Sequence, residues 1–308
     1  MRKDENKADG PAGKWLEHIE LYEREFEKWE SRTGKIIDIY LDKGRESASN
    51  SETTKHNILW SNVQTLTAAT YSKVPKPDVS RRFKDQDPVG RVAGTILERA
   101  LDYEVQKYAT YAATLKSVVQ DRFLGGRGTA WVRYEPHFKA VEKRQPQDGL
   151  SITEDVDEPQ EELDYECAPC DYIHWRDFGH VVARTWEEVS VVWRKVYLTR
   201  DQCNERFGEE VGRDLPLDAS PDDSEKRKAG NQSTNSQSRA LVYEIWDKTT
   251  KQAVWLSKSL GKVIDQKPDP LGLDDFFPCP RPLFATIGND SLIPVPDYTL
   301  YQDQANSL

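Results

Sequence analysis

The sequence predicts an α+β fold: long helices come first, and a mixed, largely antiparallel β-rich portion follows. Two patterns carry that reading. Up to Gly125–Gly126 apolar residues recur every three or four positions, as on one face of a helix; beyond those glycines they alternate, as on a strand. Prolines at 268, 270, 278, 280 and 282 add a third sign, because so proline-dense a segment is extended and cannot be a central strand.

Trp15, Ile19, Tyr22, Phe26 and Trp29 define the first helix, with charged residues between them and Gly34 as its expected stop. A second carries Ile58, Leu59, Val63, Leu66 and Thr70 as far as the break at Pro75. Pro75 and Pro77 then flank an extended piece, Asp78–Phe83. Asp87 reads as the N-cap of a long helix with Pro88 at its first position, where the missing N–H costs nothing. Val92, Ile96, Leu101, Val105 and Tyr108, then Ala112, Leu115, Val118 and Val119, give its face, with a break near Thr110.

After the glycines, Thr129–Tyr134 alternates as a strand, and Phe138–Glu142 is its expected partner. From Gln145 to Glu166 the chain holds Asp148, Glu154, Asp155, Asp157, Glu158, Glu161, Glu162, Asp164 and Glu166 but no Lys or Arg, so it repels itself into an exposed loop or hairpin tip. Strands are expected at Val181–Thr185 and Val189–Leu198. Thr185 with Glu188 and Thr199 with Gln202 fit capping-box spacing, the second opening a short helix that ends at Gly208. Residues 209–239 are polar enough to read as a mobile linker or insertion. Leu241–Trp246, Gln252–Leu256 and Lys262–Asp265 read as three successive strands, and Asp297 as the cap of a last helix bearing Tyr298, Tyr301, Ala305 and Leu308. That helix has no stop signal, so the sequence reads as the N-terminal portion of something longer. The domain reading is therefore an N-terminal helical arm over 1–50, a helical part over 51–126, a β-rich part over 127–290 with an acidic loop at 144–166 and a polar linker at 209–239, and the start of another helix at 291–308.

Hydrophobic residues are 37% of the 308 and charged residues 31%, a balance that suits an elongated subunit or one that completes its core against neighbours. A net charge of −10 argues against a protein that grips DNA by neutralising phosphates. Nine Trp and thirteen Tyr are many for so polar a chain, and aromatic residues are enriched both in cores and at protein interfaces. The N-terminus MRKDENKADG has no apolar stretch, and no run of eighteen apolar residues occurs, so the expectation is a soluble product without signal peptide or membrane span.

The chemistry-bearing motifs are fragments. Gly125-Gly126-Arg127-Gly128-Thr129 is glycine-rich but lacks the spacing and lysine of a phosphate-binding loop, and it runs from helix to strand, the reverse of that motif. Cys167-Ala-Pro-Cys170, followed by His174 and His180, has one ligand pair at zinc spacing but no second pair at the usual distance. Cys203 and Cys279 complete a cysteine count that reads as free, apolar thiols rather than a disulfide framework. Asp274-Asp275, Glu187-Glu188, Arg81-Arg82 and Lys226-Arg227-Lys228 read as solvated charge. No catalytic, cofactor-binding or metal-ligating set emerges, and the expectation is an architectural protein rather than an enzyme.

The order of several stretches resembles the portal proteins of tailed bacteriophages, particularly the short-tailed group. These are NILWSNVQTLTAATYSKVPKPDVSRRF, DPVGRVAGTILERALDYEV, VVQDRFLGGRGTAWVRYEP, WRDFGHVVARTWEEVSVVWRKVYLTRDQCNERFG, ALVYEIWDK, FFPCPRPLFAT and SLIPVPDYTLYQDQ. The resemblance covers residues 55–308 and rests on order and spacing rather than on any single piece. It implies a homo-oligomeric, twelve-fold ring at the capsid vertex of the virion, assembled in the bacterial cytoplasm. It further implies contacts with the terminase packaging motor, scaffolding and major capsid proteins, and head-completion or tail proteins, and double-stranded DNA passing through without specific binding. By that resemblance most of the chain is the wing, the helix from Asp297 leads into the stem, and the acidic loop is peripheral. Two other readings compete: a non-viral α+β scaffold or adaptor, and a zinc-dependent hydrolase built on Cys167, Cys170, His174 or His180.

Overall fold

The computed structural model describes residues 12–43, 57–81, 87–107, 110–141, 160–219 and 238–307, and within them the fold is α+β. In chain order the elements are helices α1 (Gly13–Tyr40), α2 (Ile58–Thr70), α3 (Pro88–Lys107) and α4 (Tyr111–Leu124), and strands β1 (Arg127–Val132), β2 (Glu135–Val141), β3 (Gln160–Cys167), β4 (Cys170–Ile173), β5 (Phe178–His180) and β6 (Val191–Leu198). There follow α5 (Arg200–Phe207), α6 (Glu209–Asp214), β7 (Ala240–Asp247), β8 (Gln252–Ser257), β9 (Lys262–Pro268), β10 (Leu283–Phe284) and α7 (Asp297–Ser307). The chain divides into two units: Met1–Ser72, Leu115–Trp131 and Tyr172–Leu308 form the first, Lys73–Thr114 and Val132–Asp171 the second.

The first unit is built on an antiparallel sheet in the order β5-β6-β7-β8-β9. Helix α1 buries Trp15, Leu16, Ile19, Tyr22, Phe26 and Trp29 in the same core as β6, β7 and β8. Its phenol at Tyr22 donates to the Phe178 carbonyl of β5 at 3.1 Å, and Lys14 meets the buried Asp247 carboxylate of β7 at 2.6 Å. The expected N-terminal arm is thus an integral part of this core. Gly34 does not stop α1 either: the apolar stripe continues through Ile36 and Tyr40, and burying two more turns outweighs the roughly 1 kcal/mol that a helical glycine costs. The composition argument for a core completed by neighbours fails for this unit. Trp15, Trp29, Trp131, Trp175, Trp193, Trp246 and Trp255 are all buried in its own core.

A smaller apolar cluster joins the end of α1 to α2, α4 and α7 through Ile36, Tyr40, Leu59, Val63, Leu124 and Tyr298. Asn57 ties it together. Its amide donates to the Ile39 and Tyr40 carbonyls at the end of α1, while its Oδ1 accepts from Trp60 N–H to cap α2.

The predicted break near Thr110 is present, with Thr110 at φ 43° between α3 and α4. β1 does not pair with the strand that follows it; its neighbours are β10 and β4, and β2 pairs with β3 instead. Gly128 explains why β1 lies where it does. A Cβ there would stand 1.9 Å from the Val118 carbonyl oxygen, so only glycine lets the strand run this close to α4.

The polar run 209–239 does not begin as a linker. Residues 209–214 form α6, packed on α5, and Leu215 is in the core; 220–237 lie outside the described residues. Thr199 and Gln202 make both hydrogen bonds of the capping box that opens α5. Thr185 caps nothing with its side chain; only a 3-10 turn, Trp186–Glu188, follows, and Glu188 pairs with Arg184. The strand expected at 181–185 lies instead at Phe178–His180.

The second unit contains α3, the first turn of α4, and the antiparallel ribbon β2–β3. The acidic stretch is thus partly a strand, with Glu162↔Lys139 and Leu163↔Phe138 in register. Glu154, Asp155, Asp157 and Glu158 lie outside the described residues.

Candidate assembly surface

α3 begins as its sequence dictates. The Asp87 carboxylate accepts from Val89 N–H at 3.0 Å, Pro88 occupies the first position, and Arg81 meets Asp87 at 2.7 Å. One side of the helix is turned inward within its unit. A Cβ at Gly94 would lie 3.1 Å from the Val79 carbonyl, so a small residue keeps residues 78–81 against the helix. Further along, the Glu104 carboxylate accepts from Ala168 N–H at 2.7 Å, next to the end of β3.

The other side carries the apolar stripe, and it faces solvent. None of the twenty residues of α3 is buried. Val89 is 74% exposed, Ile96 63%, Val92 59% and Tyr103 56%, and all four share a face at spacings of three, four and seven. A soluble helix normally turns such a stripe into a core; large exposed apolar surface marks an interaction site.

The ribbon shows the same imbalance. Phe138 and Leu163, partners across the two strands, are 58% and 46% exposed, with Tyr134 also exposed, while Tyr165 pairs with His137 and stacks on its ring at 4.2 Å. Its charges are ordered. Arg133 bridges Asp171 and Glu135 at 2.6 Å each, Lys139 meets Asp164 at 3.0 Å, and the Tyr134 hydroxyl donates to Glu166 at 2.7 Å.

The residues weighed as zinc ligands are not brought together. Cys167 and Cys170 are buried in the second unit, where Cys167 Sγ donates to the Glu135 carbonyl and the Cys170 carbonyl accepts from Thr114 at 2.6 Å. His174 stands beside Trp175 in the first unit, and burial pulls its pKa down to about 4. His180 is wholly enclosed among Tyr22, Phe26 and Phe178, its pKa depressed to about 3 by burial and by Arg127. Burial raises the pKa of all four thiols. Among the described residues no group of three or more His, Cys, Asp or Glu is arranged to hold a metal ion. Asp274, Asp275, Glu187 and Glu188 are exposed, as their solvated reading requires; Arg82 and Lys226-Arg227-Lys228 lie outside the described residues.

The glycine-rich turn holds something the sequence reading missed. Arg127 is fully buried, its guanidinium enclosed by the rings of Tyr22, Phe26, Trp29 and Phe178. Its Nη2 donates to Tyr22 Oη at 2.9 Å and to the Trp175 and Phe178 carbonyls at 3.1 and 2.9 Å. The available signal was a lone arginine among glycines in a chain whose first helix sets Tyr22, Phe26 and Trp29 on one stripe. The turn is a structural joint that ties β1 to α1 and β5. No family model matches the chain, and no curated protein is significantly similar to it.

Proposed function

We propose that this chain is a subunit of a bacteriophage portal ring, the conduit at one capsid vertex for genome packaging and ejection. The observation that carries the reading is the apolar face of α3, a twenty-residue helix none of whose residues is buried by the described residues of its own chain. Such a face suits a subunit whose neighbours supply the missing half of the contact. In a closed ring that contact is heterologous, one patch on each copy meeting a different patch on the next. The order of segments quoted above points the same way.

The charge fits the task. A net charge of −10 leaves the protein with little tendency to hold phosphates, and a conduit must let the duplex slide. The working assembly is a twelve-fold ring in the virion. It docks the packaging motor during DNA entry and head-completion or tail proteins afterwards, and it sits among scaffolding and major capsid proteins during assembly. Its role is architectural and involves no bond making.

Negative-stain imaging of the purified protein tests this. Rings with a central hole support the portal reading. Small particles that instead capture one different protein through α3 support the adaptor reading, which draws on the same exposed face.

A further inference from the structure

The β2–β3 ribbon is incomplete as a sheet. Among the described residues neither strand pairs with a third, so each has one edge with no strand beside it. Every residue of β3 from Glu162 to Glu166 is exposed. A ribbon of two strands is marginal in water unless a further strand or a covering element completes it, and an open edge is a template for that strand. Pro136 and the bulge at His137/Phe138 disturb the start of β2, but 138–141 pairs regularly with 160–163. Side chains on this regular stretch are sorted by face. Phe138 and Leu163, opposite one another, share one face; Lys139 and Glu162, also opposite, share the other with Asp164. Lys139 holds Asp164 at 3.0 Å, and among the described residues Glu162 has no ion pair.

We propose that the β3 edge of one copy pairs antiparallel with the β2 edge of the next, joining the ribbons into a belt. This rests on the ring reading above and gives it a strand contact. The register that the strands keep within one copy, Phe138 opposite Leu163 and Lys139 opposite Glu162, also serves between copies. It leaves each side chain on its own face, whereas a slip of one residue sets apolar against charged. Each Glu162 then lies across from the Lys139 of the next copy, and the Phe138 and Leu163 side chains form one continuous apolar row. Charge selects this pairing over like with like. Two β3 edges would bring Glu162 and Asp164 against their own copies, and two β2 edges would leave every Glu162 without a cation. Because the two edges differ, each copy offers one of each, and the contact passes from subunit to subunit until it closes. Main-chain hydrogen bonds hold the added strand, and the side chains fix its register.

The test uses full-length chains. One tagged copy carries Phe138→Cys and a differently tagged copy Leu163→Cys; both positions are exposed, and the four native cysteines are buried and react slowly. After mixing and assembly, a short bis-maleimide is added and the linked products are separated by tag. The two cysteines sit on different chains, so only a contact between copies can join them. The expected result is a product carrying both tags as the main species, with little from either variant alone and none from wild type. A dominant product from Leu163→Cys alone means that β3 meets β3, one from Phe138→Cys alone that β2 meets β2, and either overturns the proposal. Rings that form without the mixed product overturn the strand pairing while leaving the ring reading in place. A wild-type protein that stays monomeric throughout removes the ring reading, and the pairing with it.

Discussion

The phenolic hydroxyl of Tyr172 donates to the Asp121 carboxylate at 2.5 Å, and the peptide N–H of Trp175 donates to the same carboxyl. The carbonyl of that same Trp175 accepts from Arg127, so a buried acid and a buried cation are joined through one residue's peptide groups rather than in an ion pair. Burial dominates the acid: Asp121 is raised from 3.8 to about 7, despite the hydrogen bonds and the Arg127 charge that pull it down.

The sign of the pH dependence follows from that shift. Between about pH 4 and 7 the folded protein keeps a proton on Asp121 that the unfolded chain has released. The contribution to stability is therefore full below about pH 4, falls as pH rises through about 7, and is constant above. At its steepest the slope is about 1.4 kcal/mol per pH unit for one proton. Asp121→Asn removes this component, so the difference in urea stability between variant and wild type shifts in favour of the variant as pH rises from 4 to 7. A difference independent of pH contradicts the assignment.

Arg127→Lys keeps the charge but loses the planar group that stacks among four rings and reaches three acceptors. The Trp175 carbonyl and the Tyr22 phenol lose the Arg127 donor, and the Phe178 carbonyl keeps only Tyr22's, a cost on the order of 3 kcal/mol. Tryptophan fluorescence during denaturation measures it, with Trp29 and Trp175 as nearby reporters.

Gly128→Ala forces a methyl group into the Val118 carbonyl and is expected to cost about 3 kcal/mol or more. Gly261 is the control. Its φ is +64° and nothing lies within 4 Å of an added Cβ, so alanine there costs only the 1–2 kcal/mol of a left-handed non-glycine residue. Melting temperatures of the two variants check the order.

Among the described residues, Cys167, Cys170, His174 and His180 are not gathered into a ligand set, and the expected outcome is a melting temperature that a strong chelator leaves unchanged. Replacing Cys167 with Ser acts only through the buried contact it disturbs, and added zinc does not alter that effect. A chelator-induced drop in melting temperature counts against this reading.

The elements of regular period were legible in the sequence. α2, α5 with its cap, the β7–β8–β9 meander and the break at Thr110 follow from local pattern and turn chemistry. Partners were not legible: β2 looks like the return strand of β1 from sequence, yet pairs with β3 across the acidic stretch, because pairing is set by contacts remote in sequence. Nor did the tryptophans announce their side of the surface. Phe26 and Trp29 stand three apart, as Val89 and Val92 do, but the first pair fills a core and the second meets solvent. Amphipathic spacing tells that a face exists, and only the tertiary structure tells what covers it.

Native mass spectrometry of the full chain bears most directly on the central claim. The account predicts one closed assembly of fixed subunit number, about twelve, which loses subunits when Val92 and Ile96 on α3 are both made Asp. A monomer at every concentration, or a ladder of open-ended oligomers unaffected by those changes, contradicts it.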